Sequence, residues 1–140
     1  MTNLIKLCVG IKSVSHLKEF RQTRREMGRG RKDGYDVHRT RMMPKRREEI
    51  IGKGSIYWVI AGKIQCRQLI VDLDRQYDNE GKKCCDIVMD NKIITTIPTL
   101  KRAFQGWRYF EQASTPSDID IQNGEGDLEL AAQLSQLGLI

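Results

Sequence analysis

The stretch "SIYWVIAGKIQCRQLIVDLD", residues 55–74, limits most strongly how this chain can fold. Its first six residues are almost all apolar and β-prone, which is typical of a central strand buried on both faces. Ala61 and Gly62 then predict a two-residue turn, followed by the return strand of a hairpin. In that return strand Leu69, Val71 and Leu73 are predicted on one face, and Ile64, Cys66 and Ile70 on the other.

Further short strands and two helices are predicted around this hairpin. Strands are expected at residues 4–11, 37–42, 82–90, 93–97 and 102–110, and Pro98 is expected to end the fourth. Successive hairpins of this kind indicate an α+β fold. We expect a mostly antiparallel β-sheet, or a small partly closed β-barrel, with two or three flanking helices.

The first predicted helix follows Ser13 or Ser15, either of which can cap "HLKEFRQTRREM". Val14, Leu17 and Phe20 form a narrow apolar stripe, which leaves Arg21 on the remaining surface. The second helix is predicted to begin at Pro44 and to continue through "KRREEII", because proline fits the first helical position.

Charge divides the chain into two parts. All 24 Lys and Arg lie in residues 1–110 with 12 acids, a net charge of +12, whereas residues 111–140 carry six acids and no base. We expect one globular domain at residues 1–116, then an acidic linker and a short amphipathic helix within residues 117–140. The acidic part could cover the basic face when no partner is bound, and a basic body of this kind suits a polyanion.

The sequence shows no feature of a membrane or secreted protein. No apolar run approaches the length of about 20 residues that spans a bilayer, and the N-terminus lacks a secretion signal. We therefore expect a cytoplasmic protein without membrane contact. Its four cysteines form no Cys-x-x-Cys pair, which favours free, buried thiols and predicts no metal site and no cofactor.

The candidate binding residues are mainly cations near the central hairpin. Guanidinium groups match phosphate oxygens, and aromatic rings stack on unpaired bases. The predicted nucleic-acid-binding residues are Arg39, Arg41, Lys45, Arg46, Arg67, Trp107 and Arg108. In the alternative interpretation Trp58 and Trp107 are core residues, and Arg46 and Arg47 pair with Glu49 or Asp72.

A catalytic site is not encoded by any spacing in this chain. His38 could assist acid–base chemistry, and Cys66 or Cys85 could act as a nucleophile, but neither has a sequence-adjacent base and orienting group. A single histidine on a strand is more often structural. The sequence identifies no catalytic residues, and these are unknown.

Three blocks of the sequence resemble a known bacterial family. "HRTRMMPKRREEII", "GSIYWVIAGKIQCRQ" and "RAFQGWRYF" followed by "TPSDI" are similar to the family called domain of unknown function 1489, over residues 4–119. The resemblance implies no activity and transfers no functional residue. A basic segment after Pro44 that leads into a strand hairpin also resembles the PUA-like barrels, a superfamily that includes RNA-binding domains, and this is an analogy of fold alone.

Three functional hypotheses remain open. The first is a module that binds RNA or another polyanion through the basic residues. The second is an enzyme acting on nucleotides or nucleic acid, with His38 near the same cations. The third is an adaptor that binds a protein partner through residues 128–140, where Leu130, Leu134 and Leu137 lie on one side of the predicted helix.

Overall fold

Seven strands and two α-helices make up the described part of the chain. The structure is a computed structural model, and it describes residues 1–28 and 33–119. In chain order the elements are β1 (Thr2–Leu7), α1 (Val14–Glu26), β2 (Asp36–Thr40), α2 (Arg47–Ile50), β3 (Ser55–Ile60), β4 (Lys63–Tyr77), β5 (Lys83–Met89), β6 (Ile94–Leu100) and β7 (Trp107–Glu111). A short 3-10 turn, Gln112–Ser114, follows β7.

The strands form one mixed sheet in the order β2-β5-β4-β3-β1-β7, with β6 paired to the first half of β4. β1 and β3 are parallel, and the other strand pairs are antiparallel. Over the described ranges the edge strands β2 and β7 do not pair, so the sheet is open rather than closed into a barrel. The predicted α+β class, with a mostly antiparallel sheet and two helices, is confirmed.

The central hairpin is also confirmed. β3 is buried along its whole length, and Trp58 has no exposed surface. Ala61 and Gly62 have φ values of 52° and 78°, as a type I′ turn requires at both of its central positions. Glycine adopts this conformation at little cost, whereas alanine adopts it only because the flanking strands impose it.

A β-bulge changes which β4 residues face the core. The register between β4 and β5 shifts between Ile70 and Asp72, so one extra residue is accommodated there. Leu73 therefore lies with Cys66 and Ile70 in one cluster, whereas Ile64 belongs to the cluster on the other face. A second register shift, between Ile64 and Cys66, puts Ile64 on the other face from Cys66. The predicted alternation along this strand is therefore wrong at both bulges, because strict alternation does not allow for an inserted residue.

Helix α1 packs on one face of the sheet, which we call the helix face. Ser13 caps the helix, since its Oγ accepts the N–H of His16 at 3.0 Å. Leu17 is fully buried, but Phe20 is 40% exposed. Arg21, predicted on the surface, is instead buried at 4% exposure, with its guanidinium 5.5 Å from the Trp58 ring. The helix thus turns Arg21 toward the sheet, where the Trp58 ring and the carbonyl oxygen of Val37, at 3.3 Å, are its buried partners.

Several predicted boundaries are wrong at irregular backbone. β2 ends at Thr40, and α2 begins at Arg47 instead of Pro44. β1, Thr2–Leu7, starts two residues and ends four residues earlier than predicted. Side chains of β7 hold the segment after Thr40 through its backbone. Residues 41–46 therefore form an irregular loop where a strand end and the first turn of a helix were predicted.

Two further strand ends differ at β6 and β7. β6 continues through Pro98, because the register with β4 shifts between Ile64 and Cys66, and a bulge tolerates the missing N–H of proline. β7 begins only at Trp107, because the preceding residues form an irregular segment whose Phe104 packs on the sheet.

The core has two apolar clusters, one on each face of the sheet. The helix-face cluster includes Leu4, Leu17, Trp58 and Ile70. The cluster on the opposite face is smaller and contains Ile5, Tyr57, Val59, Ile64, Phe104 and Phe110. Alternate residues of β1, β3 and β7 thus contribute to different faces, which fixes where each candidate site residue can lie.

The end of the chain lies largely outside the described residues. The acidic linker and amphipathic helix predicted within residues 117–140 are described only at residues 117–119, so the predicted division at residue 116 stays a prediction. Among the helices of the described ranges, none has the length and apolarity that crossing a bilayer needs.

Candidate functional site: a basic–aromatic surface and a polar pocket

The loop between β2 and α2 is attached to β7 by three hydrogen bonds. The backbone N–H groups of Lys45 and Arg46 donate to Oη of Tyr109 at 3.0 and 3.3 Å. Nε1 of Trp107 donates to the carbonyl oxygen of Met42 at 2.8 Å. Two residues that alternate on one face of β7 therefore determine where the cations of this loop lie.

Two cations and two rings share the resulting surface. The Arg46 guanidinium lies 4.6 Å from the centre of the Tyr109 ring. The rings of Trp107 and Tyr109 meet edge to face with their centres 5.0 Å apart, and both residues are half-buried. Lys45 is exposed beside them. We call Lys45, Arg46, Trp107 and Tyr109 the basic–aromatic surface.

The acidic neighbours of this surface are weakly attached. Arg46 Nη1 lies 3.8 Å from Oε1 of Glu111, and the two side chains are 48% and 70% exposed. An ion pair with this exposure and distance contributes little to stability. The predicted partners Glu49 and Asp72 are not the ones observed, since Arg47 instead donates to the carbonyl oxygen of Leu73 at 2.9 Å.

Arg39 and Arg41 are each paired with a carboxylate. Arg39 donates from Nε and Nη2 to the two oxygens of Asp86 at 2.7 and 3.2 Å. Arg41 donates from Nη1 to Asp78 at 2.9 Å. The Arg41 guanidinium and backbone bonds from the adjacent turn lower the pKa of Asp78, so this carboxylate remains charged near neutral pH. Both arginines already have an acidic partner, which would compete with another anion.

Arg67 lies on the opposite face of the sheet, in what we call the polar pocket, which it lines with Asn3, Ser55, Tyr57, Gln112 and Asp118. Its Nε and Nη2 donate to the two oxygens of Asp118 at 2.9 and 2.8 Å, and its Nη1 donates to Oγ of Ser55 at 2.7 Å. Tyr57, the cross-strand neighbour of Arg67, is 4% exposed. Asn3 completes this group and is 2% exposed.

Arg108 is on the opposite face as well. It alternates with Trp107 and Tyr109 along β7, and its guanidinium lies 4.8 Å from the centre of the Phe104 ring. The structure therefore brings Lys45, Arg46 and Trp107 together on one surface. It places Arg67 and Arg108 on the other face of the sheet.

His38 faces the helix-face core. Its ring meets the Trp58 ring edge to face with the centres 5.1 Å apart, and its Nε2 is buried without a hydrogen-bond partner. Burial, together with the nearby cations Lys6, Arg21 and Arg24, lowers the pKa of His38 to about 3. The imidazole is therefore neutral at physiological pH and is removed from the exposed cations with which acid–base chemistry was hypothesised.

The cysteines are free throughout the described ranges, and three of the four are buried. Burial raises the pKa of Cys8 to about 11, of Cys66 to about 12 and of Cys85 to about 11. These thiols are protonated near pH 7, a state in which a cysteine is a poor nucleophile.

Sequence reasoning considered the Tyr109 ring as a stacking surface but missed the role of its hydroxyl, and it missed most of the polar pocket. The hydroxyl of Tyr109 orders the loop, and Asn3, Ser55, Gln112 and Asp118 form the polar pocket with Arg67. Asn3 directly precedes the strand predicted at residues 4–11, so strand periodicity gave no signal for the pocket. Asp118 carried no local signal, because its partner lies 51 residues earlier in the chain.

Comparison with known proteins gives one match. No curated protein and no solved structure matches the chain. The analogy to PUA-like barrels is therefore without a structural counterpart and stays a prediction. A family described as "Protein of unknown function (DUF1489)" matches residues 4–140, nearly the whole chain. The chain belongs to the DUF1489 family.

Proposed function

We propose that the protein binds single-stranded RNA through the basic–aromatic surface. The observation that carries the proposal is the attachment of the Lys45–Arg46 backbone to Tyr109, which places two cations beside a pair of half-buried rings. Phosphates bind cations, and unpaired bases stack on aromatic rings, so the combination suits a flexible strand whose bases are free.

Each residue has a distinct role in this proposal. Lys45 and Arg46 neutralise phosphates, and Trp107 and Tyr109 offer ring surface to a base. Because the Arg46–Glu111 pair is exposed and 3.8 Å long, a phosphate can replace Glu111 at small cost. Arg39 and Arg41 contribute less, since each already has a close carboxylate partner.

The test is a fluorescence titration with a single-stranded RNA of about ten nucleotides, a length within the range that small binding folds cover. Trp107 is half-buried whereas Trp58 is fully buried, so quenching reports on the proposed surface. The double variant Lys45→Ala, Arg46→Ala is expected to bind about tenfold or more weakly and to lower the salt slope by about 0.7 per lost phosphate contact.

Arg108→Ala removes one charge from the opposite face of β7, so it is the matched control for each single variant, Lys45→Ala and Arg46→Ala. It is expected to leave both the affinity and the salt slope nearly unchanged. A loss in the control as large as in either single variant would assign the effect to net charge and would contradict the proposed surface. The same conclusion follows if wild type shows no RNA binding at low salt.

The remaining hypotheses rest on other parts of the chain. The adaptor hypothesis depends on residues 128–140, which lie outside the described residues. The enzyme hypothesis depended on His38, whose burial and low pKa favour a structural role.

A further inference from the structure

The polar pocket is a cavity of about 500 Å³ on the face opposite the helices. Strands β1, β3 and β4 form its floor, and the chain after β7 forms one wall. Its polar lining includes Asn3, Ser55, Tyr57, Arg67, Gln112 and Asp118. This volume is within the range of small-molecule sites in proteins, about 300 to 1,000 Å³.

The floor of the pocket is held by a hydrogen-bond network that does not require a ligand. Oδ1 of Asn3 accepts the N–H of Ser55 at 2.9 Å, and Nδ2 of Asn3 donates to Oε1 of Gln112 at 2.9 Å. Ser55 in turn accepts from Arg67 at 2.7 Å. Asn3 and Ser55 are 2% and 3% exposed, so these polar groups are fixed in position before any ligand arrives.

The carboxylate of Asp118 occupies the outer side of Arg67. Both of its oxygens accept from the guanidinium, in the two-point geometry that a ligand carboxylate or phosphate would adopt. The Asp118 segment joins β6 through two backbone hydrogen bonds, from Ile97 to Ser117 at 2.9 Å and from Ile119 to Thr95 at 2.8 Å. Asp118 itself is 45% exposed, whereas Arg67 is 22% exposed.

We propose that the polar pocket binds a small ligand through a terminal phosphate or carboxylate on Arg67, and that Asp118 holds this position until the ligand displaces it. Ser55 and Tyr57 then contact the ligand's polar body. The ligand's oxyanion and the Asp118 carboxylate compete for the Arg67 guanidinium. The binding free energy of the wild type is therefore the difference between these two interactions. An intramolecular carboxylate competes at an effective concentration in the millimolar range, so it weakens the binding of an external anion.

The test is calorimetry on the full chain with two probes, adenosine 5′-monophosphate for the phosphate arm and succinate for the carboxylate arm. Asp118→Asn is expected to bind one of them about tenfold more tightly than wild type, because removing the internal carboxylate frees Arg67. The arm that responds identifies the oxyanion. Asp118→Ala serves as a second variant if the asparagine amide itself bonds to Arg67.

Arg67→Lys is the matched loss variant, since it keeps the charge but cannot make the two-point contact. In the Asp118→Asn background it is expected to remove the gained affinity, whereas Arg108→Ala is expected to keep it. The proposal is overturned if neither Asp118 variant binds either probe more tightly than wild type, or if Arg67→Lys leaves the binding intact. Neither result bears on RNA binding, which is read from Lys45 and Arg46 variants.

Discussion

The basic–aromatic surface and the polar pocket use arginine in opposite ways. On the basic–aromatic surface Arg46 lies over the Tyr109 ring with a distant, exposed acidic neighbour. In the polar pocket Arg67 is bound at two points by Asp118 and at a third by Ser55. The first cation is available to a partner at once, whereas the second becomes available only by exchange. Counting cations therefore says less about binding than their existing partners do.

The largest effect is expected from Gly54→Ala, which disturbs the strand pair supporting both faces. A Cβ at Gly54 would overlap the carbonyl oxygen of Thr2 on the neighbouring strand. Because the contact is with backbone, β1 must shift, and we expect the free energy of unfolding to fall by about 3 kcal/mol or more. Urea denaturation measures this, with the exposed neighbour Lys53→Ala as control. A loss below about 0.5 kcal/mol, typical of a neutral surface change, would show that the strands can separate without cost.

An intermediate effect is expected from acid, through His38. Its pKa is about 3 in the folded protein against 6.5 for an unperturbed histidine, so the unfolded state binds more protons between these values. The stability that depends on neutral His38 is therefore fully present above pH 6.5. The free energy of unfolding then decreases as the pH falls toward 3. At about pH 4.5 the loss should be roughly 2 to 3 kcal/mol, from about 1.4 kcal/mol per pH unit.

His38→Phe isolates this contribution, because it keeps an aromatic edge against Trp58 and cannot titrate. Relative to wild type, we expect the variant to lose less stability between about pH 7 and pH 4.5, in urea denaturation at each pH. An unchanged slope would assign the acid sensitivity to other groups. If acid removes RNA binding and probe binding in the polar pocket over the same pH range, the two faces unfold as one cooperative unit.

The smallest effect is expected from Tyr109→Phe, which distinguishes the two faces most sharply. The variant keeps the ring but removes the oxygen that accepts from Lys45 and Arg46, at a cost of about 1 kcal/mol in stability. RNA affinity should fall a few-fold, because the loop is no longer held beside the rings. Tyr57→Phe is the matched control in the polar pocket and should leave RNA affinity unchanged. Equal RNA affinities for wild type and Tyr109→Phe would mean that the loop needs no anchor.

Much of the fold could be predicted because the signals are local. The continuous apolar run of β3 and the Ala61–Gly62 turn identify the central hairpin, and Ser13 marks the start of α1. The errors lie where distant residues intervene, as at the β4 bulge and at the buried Arg21. Neither is visible in periodicity, since the bulge inserts a residue and the burial of Arg21 pairs a helix cation with a ring on β3.

The candidate site was only partly predictable for the same reason. Lys45, Arg46 and Trp107 were chosen for their chemistry, and the structure brings them together through Met42 and Tyr109. Arg67 and Arg108 were chosen on equal grounds, yet strand alternation places them on the other face.

The sequence by itself determined the class of fold, the buried central hairpin and the family of the chain. These depend on residue type and short-range periodicity, which act over a few positions. Only the tertiary structure decided which arginine has which partner, because Arg39, Arg41 and Arg67 pair with acids 47, 37 and 51 residues away. Such pairs form when strand register brings distant backbone together, and register follows from the packing of the whole sheet.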